Sequence, residues 1–226
     1  MMSCRHVLPV LTLALLAGLG GTARGAEADP ALARAQIRET SEKVLEIFRT
    51  RELFAPEASD RLLAELRAVL DQRFDWPTMA RWVLGRKRPL FDEAQTGEFA
   101  DLFSQYVVLY YLTQVEQQIV TGDPDQVNQV RIDYRDGTSQ ADGSVALEVI
   151  FTTPKGTTVQ TGYTLVFDAA GAAWRVRNFS VEGVSLVRNW RNELASARSR
   201  EQIMELMTRK VDELRARRAA APAAKP

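Results

Sequence analysis

The chain has 226 residues, of which 29 are Lys or Arg and 29 are Asp or Glu, so its formal net charge is zero. A neutral chain has no global field that would steer it to nucleic acid or to an anionic membrane surface, and nucleic-acid binding is therefore disfavoured. The single cysteine, Cys4, and the single histidine, His6, both lie near the N-terminus.

The N-terminal segment has the order of a secretory signal. Arg5 and His6 precede an apolar run over residues 7–19, and small residues follow it. The run is too short to span a bilayer. We expect residues 1–28 to be removed on export, with the mature start between residues 26 and 29. The alternative is a buried N-terminal helix.

Removal of this segment would leave a mature chain without histidine or cysteine. That absence excludes Ser-His and Cys-His nucleophiles, histidine acid–base chemistry and nearly all zinc or copper sites. A binding function without a cofactor is favoured over an enzyme by this elimination.

Two amphipathic helices are predicted first, separated by Pro56. Their apolar positions recur at helical spacing: Ile37, Val44, Leu45 and Phe48 in the first, and Leu62, Leu66, Val69 and Leu70 in the second. A short helix is expected over residues 77–84, closed by Gly85. Its apolar side would consist of Met79, Trp82 and Val83.

The longest periodic segment covers residues 92–120. Its wide apolar stripe contains Phe99, Leu102, Phe103, Tyr106, Val107, Tyr110, Tyr111 and Val115. Such a stripe is broader than packing against one neighbour requires. It predicts either a central core helix or a helix that lines a cavity with part of this face.

Four strands are predicted next, at residues 130–134, 145–152, 159–167 and 174–181, with turn signals between them. Within the second, Val145, Leu147, Val149 and Phe151 alternate with Ala146, Glu148 and Ile150. Within the third, Tyr163, Leu165 and Phe167 share one face. Each strand thus presents an apolar side that another layer must cover.

Helical spacing returns after residue 185, with Leu186 and Trp190 in one helix and Ile203, Leu206, Met207, Val211 and Leu214 in another. Residues 219–226 are expected to be a disordered tail. The order of elements predicts one α+β domain over residues 29–218. It would be an antiparallel, about four-stranded sheet covered by helices from both ends of the chain.

Two stretches carry a family resemblance. The first contains Phe74-Asp75, Met79-Ala80-Arg81 and Val83-Leu84-Gly85-Arg86, followed by Gln95, Phe99, Phe103 and Tyr111. The second contains Trp174, Asn178-Phe179 and Glu182-Gly183-Val184-Ser185-Leu186. In order, spacing and position after an export signal, they resemble the toluene-tolerance/Mla shuttle family of periplasmic phospholipid-binding proteins, over about residues 37–214.

The resemblance implies a monomeric, non-enzymatic carrier in the periplasm of a Gram-negative bacterium, with phospholipid as cargo. Its partners would be an outer-membrane lipoprotein complex and an inner-membrane ABC transporter with MCE domains. Asn178, Gln118 and the segment 199–202 depart from the family pattern, which leaves open a hopanoid-carrying branch. A periplasmic chaperone or adaptor that holds no lipid is the alternative from another class.

A lipid carrier needs an apolar pocket, which we place between sheet and helices. The roughly 30 methylenes of a two-tailed phospholipid would cost on the order of 25 kcal/mol to hold in water. The pocket should therefore have a volume of roughly 1,000 Å³ or more. Candidate lining residues are Val83, Phe99, Phe103, Tyr106, Val107, Tyr110, Tyr111, Val149, Phe151, Tyr163, Leu165 and Val184, for each of which core packing is the alternative.

Other motifs favour structural roles. Gly183-Val184-Ser185 lacks the second glycine of a nucleophile elbow, so Gly183 is expected to supply backbone freedom and Ser185 to cap a helix. The segment from Asp136-Gly137 through Asp142-Gly143 predicts a hairpin turn rather than a calcium loop. Residues 86–88 form a basic cluster that predicts a solvated turn or, alternatively, a contact with lipid phosphate or an acidic surface.

Carboxylate catalysis by Glu148 and Glu182 is disfavoured because their spacing shows no shared cleft.

Overall fold

The structure is a computed structural model that describes residues 29–50, 58–115 and 128–220. Within these ranges three helices, a 3-10 helix and a long fourth helix precede a sheet, and two helices follow it. This order confirms the predicted α+β class. The expected signal segment, Pro56, Gln118 and the last six residues lie outside the described ranges.

The helices have the following bounds: α1 Pro30–Arg49, α2 Ser59–Leu70, α3 Trp76–Leu84, the 3-10 helix Gly85–Leu90, α4 Glu93–Val115, α5 Leu186–Glu193 and α6 Arg200–Ala220. The strands are β1 Arg131–Tyr134, β2 Thr138–Ser139, β3 Val145–Thr152, β4 Thr158–Asp168, β5 Ala173–Val181 and β6 Val184–Ser185. The four predicted strands agree with β1, β3, β4 and β5 to within one residue at each end. Helix α6 continues two residues into the segment that was expected to be a disordered tail.

Side-chain caps fix where the helices begin. The Asp75 carboxylate accepts a hydrogen bond from Thr78 N at 3.1 Å at the start of α3. Asp92 and Gln95 form a reciprocal capping box at the start of α4, with N–O distances of 2.8 and 3.0 Å. Helix α3 ends at Gly85, whose φ of +50° is unfavourable for any other residue type. These local signals explain why the helix boundaries were readable from the sequence.

The sheet is antiparallel, with the strand order β1-β3-β4-β5-β6 and β2 paired with the other half of β3. Strands β2 and β6 were not predicted, because two residues cannot show an alternating pattern. A bulge between β4 and β5 leaves Arg177 without a ladder partner. Its guanidinium Nε lies 3.1 Å from the carboxylate of Asp75 and so ties the sheet to the start of α3.

Turn residues shape the hairpin between β2 and β3. Asp142 Oδ1 accepts hydrogen bonds from Ser144 N at 3.0 Å and Ser144 Oγ at 2.6 Å, and Gly143 has a φ of +81°. This arrangement confirms the predicted hairpin turn. Among the described residues, no group of three or more His, Cys, Asp or Glu could hold a metal ion.

One face of the sheet is covered by helices. Buried side chains alternate along the long strands on this face: Val145, Leu147, Val149, Leu165, Trp174 and Val176. Helices α1, α3 and α5 contact these strands, and α6 packs along α4. None of the helices in the described part of the chain combines the length and apolar character needed to cross a membrane.

The prediction that Trp82 belongs to the apolar side of α3 is wrong. Trp82 is 39% exposed, whereas the buried residues of this helix are Trp76, Met79, Ala80, Val83 and Leu84. These five recur at three- and four-residue steps, and position 82 lies off that stripe.

The basic cluster after α3 is partly engaged in structural contacts. Lys87 Nζ donates hydrogen bonds to the carbonyl oxygens of Ala195, at 3.2 Å, and Ala197, in the loop after α5. Arg88 lies 3.7 Å from a Glu93 carboxylate oxygen, while Arg86 is exposed. The cluster therefore forms a solvated turn that connects α3 to the C-terminal helices.

Candidate functional site: an apolar cavity between sheet and helices

A cavity of about 750 Å³ separates the covered face of the sheet from helices α1, α2, α4 and α5. Its sheet side is lined by Phe151, Thr153, Val159, Thr161, Tyr163, Phe179 and Val181. The volume is smaller than the roughly 1,000 Å³ expected for a two-chain lipid, and it lies within the usual range of ligand pockets.

The helical walls supply most of the apolar surface. Helices α1 and α2 contribute Ile37, Thr40, Ser41, Val44, Leu45, Phe48, Leu66 and Leu70. The start of α3 and the loop before it contribute Phe74 and Trp76, and α5 contributes Leu186, Asn189 and Trp190. Helix α4 contributes Tyr106, Val107, Val108, Tyr110, Tyr111, Leu112, Gln114 and Val115.

Seven of the twelve candidate residues lie on the cavity wall: Tyr106, Val107, Tyr110, Tyr111, Phe151, Tyr163 and Val184. Five do not, and all five are fully buried in the core: Val83, Phe99, Phe103, Val149 and Leu165. These five residues were expected on the wall, but the structure places them behind it, in the packed core. Contact of the other seven with lipid stays a prediction.

The packing of Phe103 explains why the aromatic stripe of α4 is divided. Its ring stacks on Phe99 at 6.1 Å and meets Trp76 and Trp190 edge-on at 6.4 and 6.2 Å. These rings fill the space beside the N-terminal half of α4. From Tyr106 onward, the same stripe faces the cavity.

Aromatic side chains form a continuous series of ring contacts along the wall. Tyr106 meets Trp190 at 4.6 Å and Tyr110 at 5.8 Å, and Tyr110 meets Tyr111 at 5.1 Å. Tyr111 meets Phe179 at 5.2 Å. Such contacts hold the rings in place, so the wall keeps a defined shape.

The hydroxyls of Tyr106, Tyr111 and Tyr163 are neutral at physiological pH. Burial, with smaller contributions from neighbouring tyrosines, raises the pKa of Tyr106 and of Tyr111 to about 12. Burial likewise raises the pKa of Tyr163 to about 12. The wall therefore offers polar hydroxyls without placing charge against hydrocarbon.

The Gly-x-Ser motif is a turn followed by a helix cap. Val181 pairs with Val184, and the two residues between them have φ values of +49° at Glu182 and +74° at Gly183, as in a type I′ turn. Ser185 Oγ accepts from Arg188 N at 3.2 Å and donates to Asn178 Oδ1 at 3.0 Å. This confirms the structural roles expected for Gly183 and Ser185.

Gln160 connects the carboxylates of Glu148 and Glu182, the pair for which catalysis is disfavoured by the sequence. Its backbone N–H donates to Glu182 Oε1 at 2.6 Å, and its side-chain amide donates to Glu148 Oε2 at 2.6 Å. Glu182 lines the cavity and Glu148 does not. The two carboxylates therefore lie near each other without facing a common cleft.

Several lining residues were not among the candidates. Val44, Leu45, Phe48, Leu66 and Leu70 were recognised only as the apolar sides of amphipathic helices. Their periodicity shows that these sides are covered, but it does not show whether a neighbour or a cavity covers them. Phe179 stood in a family-like stretch, while no sequence signal pointed to Trp190 as a wall residue.

Comparisons with known proteins agree with this architecture. The family model described as MlaC protein matches residues 38–209. A solved structure of a phospholipid-binding protein from Ralstonia solanacearum, in complex with a phospholipid, aligns with a TM-score of 0.64 and 17% sequence identity. The alignment covers 83% of this chain and 98% of that one. A search of curated proteins found no significant match.

Proposed function

Because this chain belongs to the MlaC protein family, we propose that it is a periplasmic carrier that binds phospholipid in the cavity between its sheet and helices. It would move lipid between an outer-membrane lipoprotein complex and an inner-membrane ABC transporter with MCE domains, and so maintain outer-membrane lipid asymmetry. The carrier acts as a monomer and has no enzymatic activity. It needs no cofactor, since the bound phospholipid is its cargo.

The observation that carries the proposal is the cavity itself. A protein interior is normally packed with few voids larger than a water molecule. A space of about 750 Å³ lined mainly by apolar side chains would be unfavourable to maintain unless hydrocarbon filled it. Acyl chains are hydrocarbon of this kind, and their transfer from water is worth about 0.8 kcal/mol per methylene.

A second support is the separation of core and wall. Phe99 and Phe103 are buried behind the wall, where the Trp190 ring packs edge-on against Phe103, and this packing stabilises the fold without help from the cavity. The cavity wall can then serve binding. A chaperone or adaptor that only packs against a partner would need no such internal space.

The direct test is organic extraction of the protein purified from the periplasm, followed by mass spectrometry. We expect phospholipid at near-stoichiometric yield. Absence of lipid would favour the chaperone or adaptor function, and recovery of a hopanoid would assign the chain to a different lipid.

A matched pair of variants on β4 locates the lipid. Val159 lines the cavity, so Val159→Trp should fill part of it and lower the bound lipid by half or more. Val166 lies on the opposite face of the same strand, and Val166→Trp should leave the yield unchanged. Equal yields from both variants would place the lipid elsewhere.

A further inference from the structure

The mouth of the cavity is marked by its exposed lining residues. Among the described residues that line the cavity, only Tyr110, Glu182, Val184 and Asn189 are exposed, and Val184 is 57% exposed. They come from α4, the turn after β5, β6 and α5. A lipid whose chains occupied the cavity would leave its polar headgroup beside these residues.

Glu182 is the one charged side chain among the described residues that line the cavity. No cation of the described residues forms an ion pair with it. The other lining side chains are apolar, hydroxyl or amide groups. Within the described lining, any electrostatic preference for a headgroup therefore comes from this carboxylate.

The carboxylate is held in a fixed position. Glu182 N donates to Gln160 O at 2.8 Å, and Gln160 N donates to Glu182 Oε1 at 2.6 Å. Oε2 has no hydrogen-bond partner among the described residues. Glu182 also keeps a φ of +49°, which costs free energy in a residue with a Cβ. The turn thus presents one free carboxylate oxygen at the mouth.

We infer that Glu182 sets headgroup preference, favouring phospholipids that carry a cationic amine over phospholipids of net negative charge. The inference rests on the function proposed above and names the lipid class. An ammonium group near Glu182 Oε2 gains a charge-assisted hydrogen bond. A net anionic headgroup in the same place has no such partner and meets a like charge.

The expected size of the preference is modest because the mouth is exposed to solvent. Ion pairs in such positions contribute about 0.2–1 kcal/mol, which corresponds to roughly a one-and-a-half- to fivefold difference in binding. This is measurable in a competition between two lipids.

The test uses vesicles of phosphatidylethanolamine and phosphatidylglycerol in equal amounts. Both vesicle lipids carry deuterated chains, so that mass spectrometry distinguishes them from lipid already bound to the purified protein. After incubation and separation, the ratio of the two labelled lipids extracted with the protein is measured. We expect the wild type to be enriched in phosphatidylethanolamine. Glu182→Gln, which can still accept the hydrogen bond from Gln160 N, should lower the ratio by roughly one-and-a-half- to fivefold. Glu182→Lys should reverse the preference.

Glu148→Gln is the matched control, because it removes an equal charge that is bound to the same Gln160 but lies outside the cavity lining. It should keep the wild-type ratio. An unchanged ratio in Glu182→Gln, no enrichment in the wild type, or an equal shift in Glu148→Gln would each overturn the inference while bound lipid still supported the carrier. A wild type that takes up neither lipid and also yields no lipid on direct extraction would overturn both.

Discussion

The ring of Tyr111 meets the ring of Phe179 edge-on, with centroids 5.2 Å apart and an interplanar angle of 78°. This contact joins helix α4 to strand β5. Phe179 also meets Tyr163 at 5.3 Å and Phe74 at 6.4 Å, so it lies at the centre of the aromatic wall. The wall is thus built from side chains that belong to three distant parts of the sequence.

Replacing Tyr111 with glutamate should lower lipid binding more than it lowers helical content. The substitution places a charge on the cavity wall, where hydrocarbon is expected, while leaving the core around Phe103 intact. Bound lipid is measured by extraction and mass spectrometry, and helical content by circular dichroism. Tyr111→Phe should retain the lipid. Equal loss of lipid and helicity in Tyr111→Glu would mean that Tyr111 is a core residue.

Phe103 should behave in the opposite way. It is fully buried and in contact with Phe99, Trp76 and Trp190, so Phe103→Ala leaves a hole in the core. We expect a loss of about 3–5 kcal/mol in the free energy of unfolding, measured by urea denaturation. A loss of lipid binding with unchanged stability would instead place Phe103 on the cavity wall.

Gly183→Val should destabilise the domain by roughly 1–3 kcal/mol. Gly183 has a φ of +74°, and a Cβ at this position would meet no atom within 4 Å, so the cost would come from backbone conformation and not from collision. Thermal denaturation measures the effect.

Gly97 supplies a contrasting glycine. It lies in α4 without a positive φ and also has open space around its Cβ position. Gly97→Ala should therefore stabilise the domain by about 0.5–1 kcal/mol. An unchanged melting temperature in Gly183→Val would contradict the role assigned to the turn.

Local pattern was sufficient to predict most of the fold. The alternation of Val145, Leu147 and Val149 fixed the covered face of β3, and the family-like stretches led to a resemblance that the family match confirms. The burial of Trp82 was predicted wrongly because successive side chains of a helix are rotated by about 100° around its axis, so an exposed residue can directly precede a buried one.

The candidate site was less predictable because a cavity depends on which elements meet. Phe103 and Tyr111 belong to the same stripe of α4, yet Phe103 is buried among aromatic rings from other elements whereas Tyr111 lines the cavity. Glu182 stands in a family-like stretch and in a disfavoured catalytic pair, and neither indicates a place at the cavity mouth. No periodicity indicates that a turn residue lies at a cavity mouth.

A polar contact between α1 and β5 illustrates the same limit. Gln36 Oε1 accepts hydrogen bonds from Trp174 N at 2.9 Å and from Arg73 Nη1 at 2.7 Å. Arg73 Nη1 also donates to Trp174 O at 2.8 Å. Gln36 and Trp174 are 138 residues apart in sequence, so only the tertiary structure reveals the pairing.

Gln36→Ala should cost about 1–3 kcal/mol, because it leaves the backbone N–H of the buried Trp174 without this acceptor. Urea denaturation measures the loss. Gln72→Ala is the control: the side chain of Gln72 is exposed, so the change should stay within about 0.5 kcal/mol. Equal effects of the two substitutions would show that the hydrogen bonds of Gln36 contribute no net stability.

Stability should fall steeply as the pH rises from about 10 to about 12. Burial raises the pKa of Tyr106, Tyr111 and Tyr163 to about 12 in the folded chain, whereas an unfolded tyrosine has a pKa of about 10. In this window the unfolded state releases protons that the folded state retains. The contribution of these tyrosines to the free energy of unfolding is therefore complete below about pH 10. Between about pH 10 and about pH 12 the free energy of unfolding decreases by up to about 1.4 kcal/mol per pH unit for each of them. Urea denaturation across the window should show a shallower decrease for Tyr163→Phe, since phenylalanine has no proton to release, and an identical decrease in this variant would contradict the role of burial at Tyr163.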